Sequence, residues 1–287
     1  MPQLTAARVT IVAGKGGVGK TTVTAVLARA AADAGLRVLA VELDGKPLLA
    51  ELVGDVACEA ISGPVALEAY LREHGFGRIA RRLTTTGVID IVATAAPGID
   101  DLVVLGRIKQ LERSGEWDVI VVDGPAAGHA ITFLTSASGL LDAVRGGPVR
   151  AQAQDVVDLL SDPSRAQVIL VTLPETTPVN ELIETAYALE DRVGVHLGPV
   201  VVNHVDVLGA PDIPDPARVD LASAGDDAVH LAAAAAFRRG RVQLQRDEIA
   251  RLRTELALEQ WHLPMLPVAG LGAGDVAALA ASMRPGP

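Results

Sequence analysis

The residues Gly14-Lys15-Gly16-Gly17-Val18-Gly19-Lys20-Thr21-Thr22 carry most of the chemistry that this chain can be read for. Gly14, Gly19, Lys20 and Thr21 fill the pattern G-x-x-x-x-G-K-[ST], a loop that cradles phosphate groups. Its glycines open backbone conformations that turn several N–H groups inward at once. Lys20 is expected to reach the β- and γ-phosphates. The Thr21 hydroxyl is expected to ligate Mg²⁺, and Thr22 to touch a phosphate. Lys15 fills a position that the pattern leaves free. It cannot easily double the work of Lys20, but it can reach a nucleotide on a second subunit, as an arginine finger does. The bland alternative is a solvated loop lysine.

Two carboxylates complete the candidate chemistry. Asp123 precedes Gly124-Pro125-Ala126-Ala127-Gly128-His129 and can orient water on Mg²⁺, the Walker-B role. Asp44, in Leu43-Asp44-Gly45-Lys46-Pro47, can orient the water that attacks the γ-phosphate or accept its proton, and is a second candidate near the metal. Each could instead be an ordinary turn aspartate at a strand end.

These residues need a scaffold, and the apolar runs supply it. Val9 to Ala13 reads as a strand, and Val23 to Ala30 as the helix that follows the glycine loop. Further strands are expected at 37–43, 88–92, 118–123, 167–172 and 199–203. Short apolar runs with helices between them imply an α/β fold, a parallel sheet with helices on both faces. Gly14, Asp44, Asp123 and Asn203 then fall at the carboxyl ends of strands, where such sheets bind ligands. Pro211, Pro214 and Pro216 mark a loop. A long surface helix is expected from about Ala232 to Gln260, with Leu244, Ile249, Leu252 and Leu256 at helical spacing. Residues 1–287 are read as one domain, with helical segments at about 45–85 and 129–165 as a small subdomain.

Composition narrows the function classes. Apolar residues make up 49% of 287, enough for a substantial core. A formal net charge of −10 and 2% aromatics argue against a general nucleic-acid binder. The arginines of Arg81-Arg82 and of Arg238-Arg239 with Arg241 read as solvated helix faces. No apolar run approaches the ~20 residues of a membrane helix, so stable membrane insertion is not expected. The first residues lack the basic-then-apolar pattern of a signal peptide, and a cytoplasmic protein is expected. Cys58, the single cysteine, can form neither an internal disulfide nor a multi-cysteine metal site. The six histidines show no metal-like spacing.

Lys15-Gly16-Gly17-Val18-Gly19-Lys20-Thr21 resembles the deviant Walker A of the ParA, MinD and arsenite-pump ATPases, a SIMIBI-type P-loop NTPase class. In those families the extra lysine works across a dimer. Asp123 to His129 resembles the arsenite-pump switch II, D-T-A-P-T-G-H. Val171-Thr172-Leu173-Pro174-Glu175, then Asn180-Glu181, resembles that family's V-x-x-P-E segment. Val201-Val202-Asn203 resembles its V-V-N, which implies that Asn203 contacts the base. Pro267 is a further candidate nucleotide contact. Ala96-Pro97-Gly98, Gly106-Arg107-Ile108-Lys109 and Gly146 to Ala153 resemble the smaller member of the paired actinobacterial ATPases, where two related chains form a heteromer.

The resemblance implies a Mg²⁺-dependent ATPase that binds ATP and ADP and works as a nucleotide-gated dimer. The second subunit is an identical chain or a paralogue, and the output is regulation or cargo handling. The known cargo devices are missing, however. One cysteine cannot supply the C-x-x-C zinc site of the tail-anchored-protein targeting ATPases or the metalloid site of the pumps. Only about 40 residues separate His129 from the next strand, within ordinary limits for a helix pair rather than a client-binding insertion. Two alternatives stay open: a ParA/MinD-like positioning ATPase, and a nucleotide-binding scaffold whose partner supplies the chemistry.

Overall fold

The β-branched runs form one sheet in a computed structural model that describes residues 4–43, 47–73, 98–206 and 227–285. The strands are β1 Val9–Gly14, β2 Val38–Glu42, β3 Ala57–Ala60, β4 Val119–Ala126, β5 Ala166–Thr172, β6 Val200–Val205, β7 Gln260–Pro264 and β8 Arg284–Pro285. Their order across the sheet is β3-β2-β4-β1-β5-β6-β7-β8. The first seven are parallel and β8 is antiparallel to β7, so the expected parallel sheet gains an antiparallel edge. The strands anticipated near residues 37, 118, 167 and 199 are β2, β4, β5 and β6. The candidate at 88–92 lies outside the described residues, as does the proline-marked loop at 211–216. Nothing in the apolar pattern announced β3 and β7. Strand β3 is a largely exposed edge, and β7 mixes Gln260 and His262 with Trp261 and Leu263.

The helices are α1 Lys20–Asp33, α2 Leu48–Val53, α3 Gly63–Glu73, α4 Ile99–Ser114, α5 Ala127–Ala143, α6 Pro148–Ser161, α7 Thr176–Val193, α8 Ala228–Glu255 and α9 Ala273–Ser282. Alternation along β1 explains why both sheet faces are covered. Val9, Ile11 and Ala13 pack into one core with residues of α3 to α7. Val12 points the other way, into a second core built on α1, α2 and α9. Central strands β1, β2 and β5 are buried at every position, the mark of parallel strands sandwiched between helices.

Within the segment read as helical at 45–85, β3 joins the main sheet. The anticipated long helix is α8; it starts earlier and ends at Glu255, because Gln260 opens β7. Leu252 and Leu256 are buried, whereas Leu244 is 44% exposed. Among the described residues no helix is long and apolar enough to cross a membrane.

Candidate functional site

The loop after β1 occupies the middle of the sheet, between the carboxyl ends of β4 and β5. A Cβ on Gly14 would lie 2.4 Å from the Val171 carbonyl oxygen of β5, so only glycine lets the two strands pair this closely. Gly19 has φ +90° and precedes the first turn of α1 without a side-chain cap. The first N–H groups of α1 adjoin the loop, and the N-cap glycine has no side chain to accept from them, the arrangement that favours an anion. Val18 is buried beneath the loop, while Gly16 and Gly17 have open space where a Cβ would stand.

Lys20 donates from Nζ to the Lys15 carbonyl oxygen at 3.3 Å, so from the start of α1 it arches back over the loop. Thr21, one residue on, donates from Oγ1 to Asp123 Oδ2 at 2.6 Å. Thr24 reaches Asp123 Oδ1 at 3.4 Å from the next turn of α1. Parallel pairing makes this contact possible: β4 lies beside β1, with Asp123 opposite Val12 and Glu42 of β2 opposite Asp123. A hydroxyl joined to a half-buried carboxylate is the donor set that octahedral Mg²⁺ uses beside phosphates. Thr22 follows on the first turn of α1, half-buried.

Asn203 comes to the loop from two strands away. The β6–β7 pairing shifts register between Val202 and Val205, and His204 there has φ +57°. That irregularity turns Asn203 inward, where it is 2% exposed. It donates from Nδ2 to the Val18 carbonyl oxygen at 3.0 Å and accepts the His204 N–H at 2.9 Å. A Cβ on Gly19 would lie 2.4 Å from the same Nδ2. Asn203 thus buttresses the loop from below. Pro267 lies in the exposed stretch after β7, and Asp44 lies outside the described residues.

Lys15 does not point freely into solvent. Its ammonium forms an ion pair with Glu181 of α7. The switch-like segment from Gly124 to His129 runs from the end of β4 into the first turn of α5. Pro125, Ala126 and His129 line a cavity of about 450 Å³ with Leu43, Asp100 and Asp101. Burial pushes the Asp101 carboxyl above its usual range, the nearby Asp100 adds to this, and His129 opposes it.

The segments that resemble the paired actinobacterial ATPases prove architectural where they are described. A Cβ on Gly106 would lie 1.7 Å from Gln152 Nε2. Lys109, almost fully buried, donates to Gln152 Oε1 at 2.8 Å and to Asp155 Oδ2 at 2.9 Å, which clamps α4 to α6. Arg150 donates to the Val144 carbonyl oxygen at 2.8 Å and so caps α5. Ala96 and Pro97 lie outside the described residues.

Two contributors escaped the sequence reading. Thr24 carried a usable signal, its position one helical turn after Thr21. Glu181 was visible only as part of a motif, with no hint that it would meet Lys15 across 166 residues.

Sequence comparison finds known relatives for the part of the chain that carries the loop. Residues 7–145, which contain the loop and Asp123, match the family model described as anion-transporting ATPase. The ATPase BagA of Mycobacterium tuberculosis is 33% identical over 226 residues, covering 70% of this chain and 66% of that protein. An arsenical pump-driving ATPase of Escherichia coli is 28% identical over 197 residues, covering 67% of this chain and 33% of the pump protein. One from Acidiphilium multivorum is 29% identical over 198 residues, with 67% and 33% covered. The chain thus spans just under two thirds of the BagA length and a third of the pump ATPases. With its loop, its Thr21–Asp123 contact and these matches, the chain is similar to the ArsA-type ATPases, most directly over residues 7–145.

Proposed function

We propose that this protein binds Mg-ATP at the Gly14–Thr22 loop and hydrolyses it as one domain that closes against a second subunit. The Thr21–Asp123 contact at 2.6 Å carries this reading, because it joins the phosphate loop to a carboxylate on the neighbouring strand. Lys20 would hold the β- and γ-phosphates, and Thr21 with Asp123 would hold Mg²⁺, directly or through water. Bound Mg²⁺ supplies charge neutralisation on the phosphates. The N–H groups of Gly16 to Lys20 complete the cradle. Asp44 orients the attacking water, Lys15 works in trans as in a deviant Walker A, and Asn203 supports the loop on which the nucleotide sits. Binding and loss of the γ-phosphate would move the segment from Asp123 to His129 and change affinity for a partner. The partner is a second copy or a paralogous chain, and the protein acts in the cytoplasm on a cargo or pathway.

Calorimetry and phosphate release test this directly. Lys20→Ala should abolish Mg-ATP binding. Asp123→Asn should make ATP affinity nearly independent of Mg²⁺. Asp44→Asn should bind ATP normally and turn over slowly. Retained micromolar affinity in Lys20→Ala would overturn the site.

A further inference from the structure

We infer that Glu181 is a positioning residue for Lys15, holding that lysine within its own subunit until a nucleotide-loaded partner takes it over. The inference rests on the trans role of Lys15 proposed above. The fold makes the pairing a consequence of strand order. Strand β5 lies beside β1, and α7 follows β5 directly. The second turn of α7 is thereby placed against the residue after Gly14, and Glu181 meets Lys15 there. The Lys15 backbone is held at the same point, because its carbonyl oxygen accepts from Lys20 Nζ.

Solvent exposure decides what such a pair can do. The Lys15 and Glu181 side chains are 37% and 41% exposed. A pair this exposed is weak and screened by salt, so it makes a poor structural clamp. It does give a long, mobile ammonium a resting place away from the phosphates of its own loop. A phosphate presented across a dry, closed interface is the stronger acceptor, since charge-assisted contacts gain strength as water leaves. The lysine should then transfer from Glu181 to the partner's nucleotide. The location suits a coupled change: Glu181 lines a groove of about 450 Å³ with Ala127, Gly128 and Thr185, where the start of α5 leaves the switch-like segment. Glu184 and Arg192 are the other charged groups on that groove.

The test is a double-mutant cycle read by light scattering, with Mg²⁺ and adenylyl imidodiphosphate, on the chain alone and with any paralogue. Glu181→Gln keeps the shape and removes the charge. It should lower the concentration needed for association about 2- to 20-fold, the upper end applying if two lysines transfer in a symmetric dimer. Glu181→Asp should lie between Gln and wild type. In a Lys15→Ala background Glu181→Gln should have no further effect, which a merely structural role of Glu181 would not reproduce. A second measurement reads the pair itself. Carbodiimide should couple Lys15 to Glu181 in the nucleotide-free chain, seen by peptide mass spectrometry, and the yield should fall several-fold in the closed complex. An inert Glu181→Gln beside a responsive Lys15→Ala overturns the Glu181 role alone. So does a shift that persists in Lys15→Ala, or a cross-link unchanged on closure. Association that neither nucleotide nor Lys15→Ala alters overturns the trans reading, and this inference with it.

Discussion

At the scale of single residues, Asn203 shows how a side chain is enlisted twice. Its amide donates to the Val18 carbonyl and accepts the His204 N–H, with 2% of the residue exposed. Its position at a register shift puts His204 at φ +57°, a conformation that L side chains seldom adopt. Truncation would strand the buried Val18 carbonyl and remove the acceptor of the His204 N–H. Asn203→Ala should therefore cost about 1–3 kcal/mol of stability, measured by urea unfolding. It should also weaken Mg-ATP binding by loosening the loop. If stability falls while affinity is untouched, Asn203 supports the fold but not the site. Thr21 and Thr24 show the same economy, both meeting Asp123 from successive turns of one helix.

At the scale of elements, packing between helices and pairing at strand starts offer two tests. Helices α4 and α6 approach so closely at Gly106 that an added Cβ would meet Gln152 at 1.7 Å. Gln152 is buried and accepts from Lys109, so it cannot swing away without stranding a buried ammonium donor. Gly106→Ala should destabilise by about 1–3 kcal/mol in urea unfolding, with nucleotide affinity unchanged in the folded fraction. A neutral Gly106→Ala would mean that the helices separate easily.

The second test concerns the starts of β2 and β4. Arg37 donates to Asp118 from its guanidinium and from its backbone N–H, and these bonds hold the Asp118 carboxyl down to about 2. A depressed carboxyl stabilises the fold above its unfolded value, near 3.9, and loses that contribution as pH falls through its folded value. Asp118→Asn should therefore be less stable than wild type at pH 5, and the two should converge as pH drops toward 2. A constant difference across that window would show that Asp118 acts through packing instead. The pair is exposed, so high salt should shrink the difference.

At the scale of the whole molecule, the question is what covers the loop edge of the sheet. Lys15, Glu181, the first turn of α5 and the stretch after β7 all lie along that edge. Mg²⁺ with a non-hydrolysable ATP analogue should shift the protein from monomer to dimer in light scattering, alone or with a paralogue, and ADP should not. A species that stays monomeric in every mixture would favour the scaffold reading. Exposed Val229, Leu231 and Phe237 on the first half of α8 lie outside both cores.

The amino-acid pattern alone was enough to place the glycine loop and the parallel strands that flank it. A glycine pattern between an apolar run and a helix former leaves few other structures, and β-branched runs buried on both faces specify parallel strands. Asp123 was legible for the same reason, as a carboxylate ending such a run. The membership of the site was not legible. Strand order decided that β4 and β5 flank β1, and so brought Asp123 to Thr21 and Glu181 to Lys15. Glu181 and Lys15 are far apart in the chain and carry no local periodicity that links them. Short, partly exposed strands such as β3 also left no apolar signal, since an edge buries too little to need one. Local patterns record what each segment must bury, whereas the meeting of distant charges is settled only when the strands take their places.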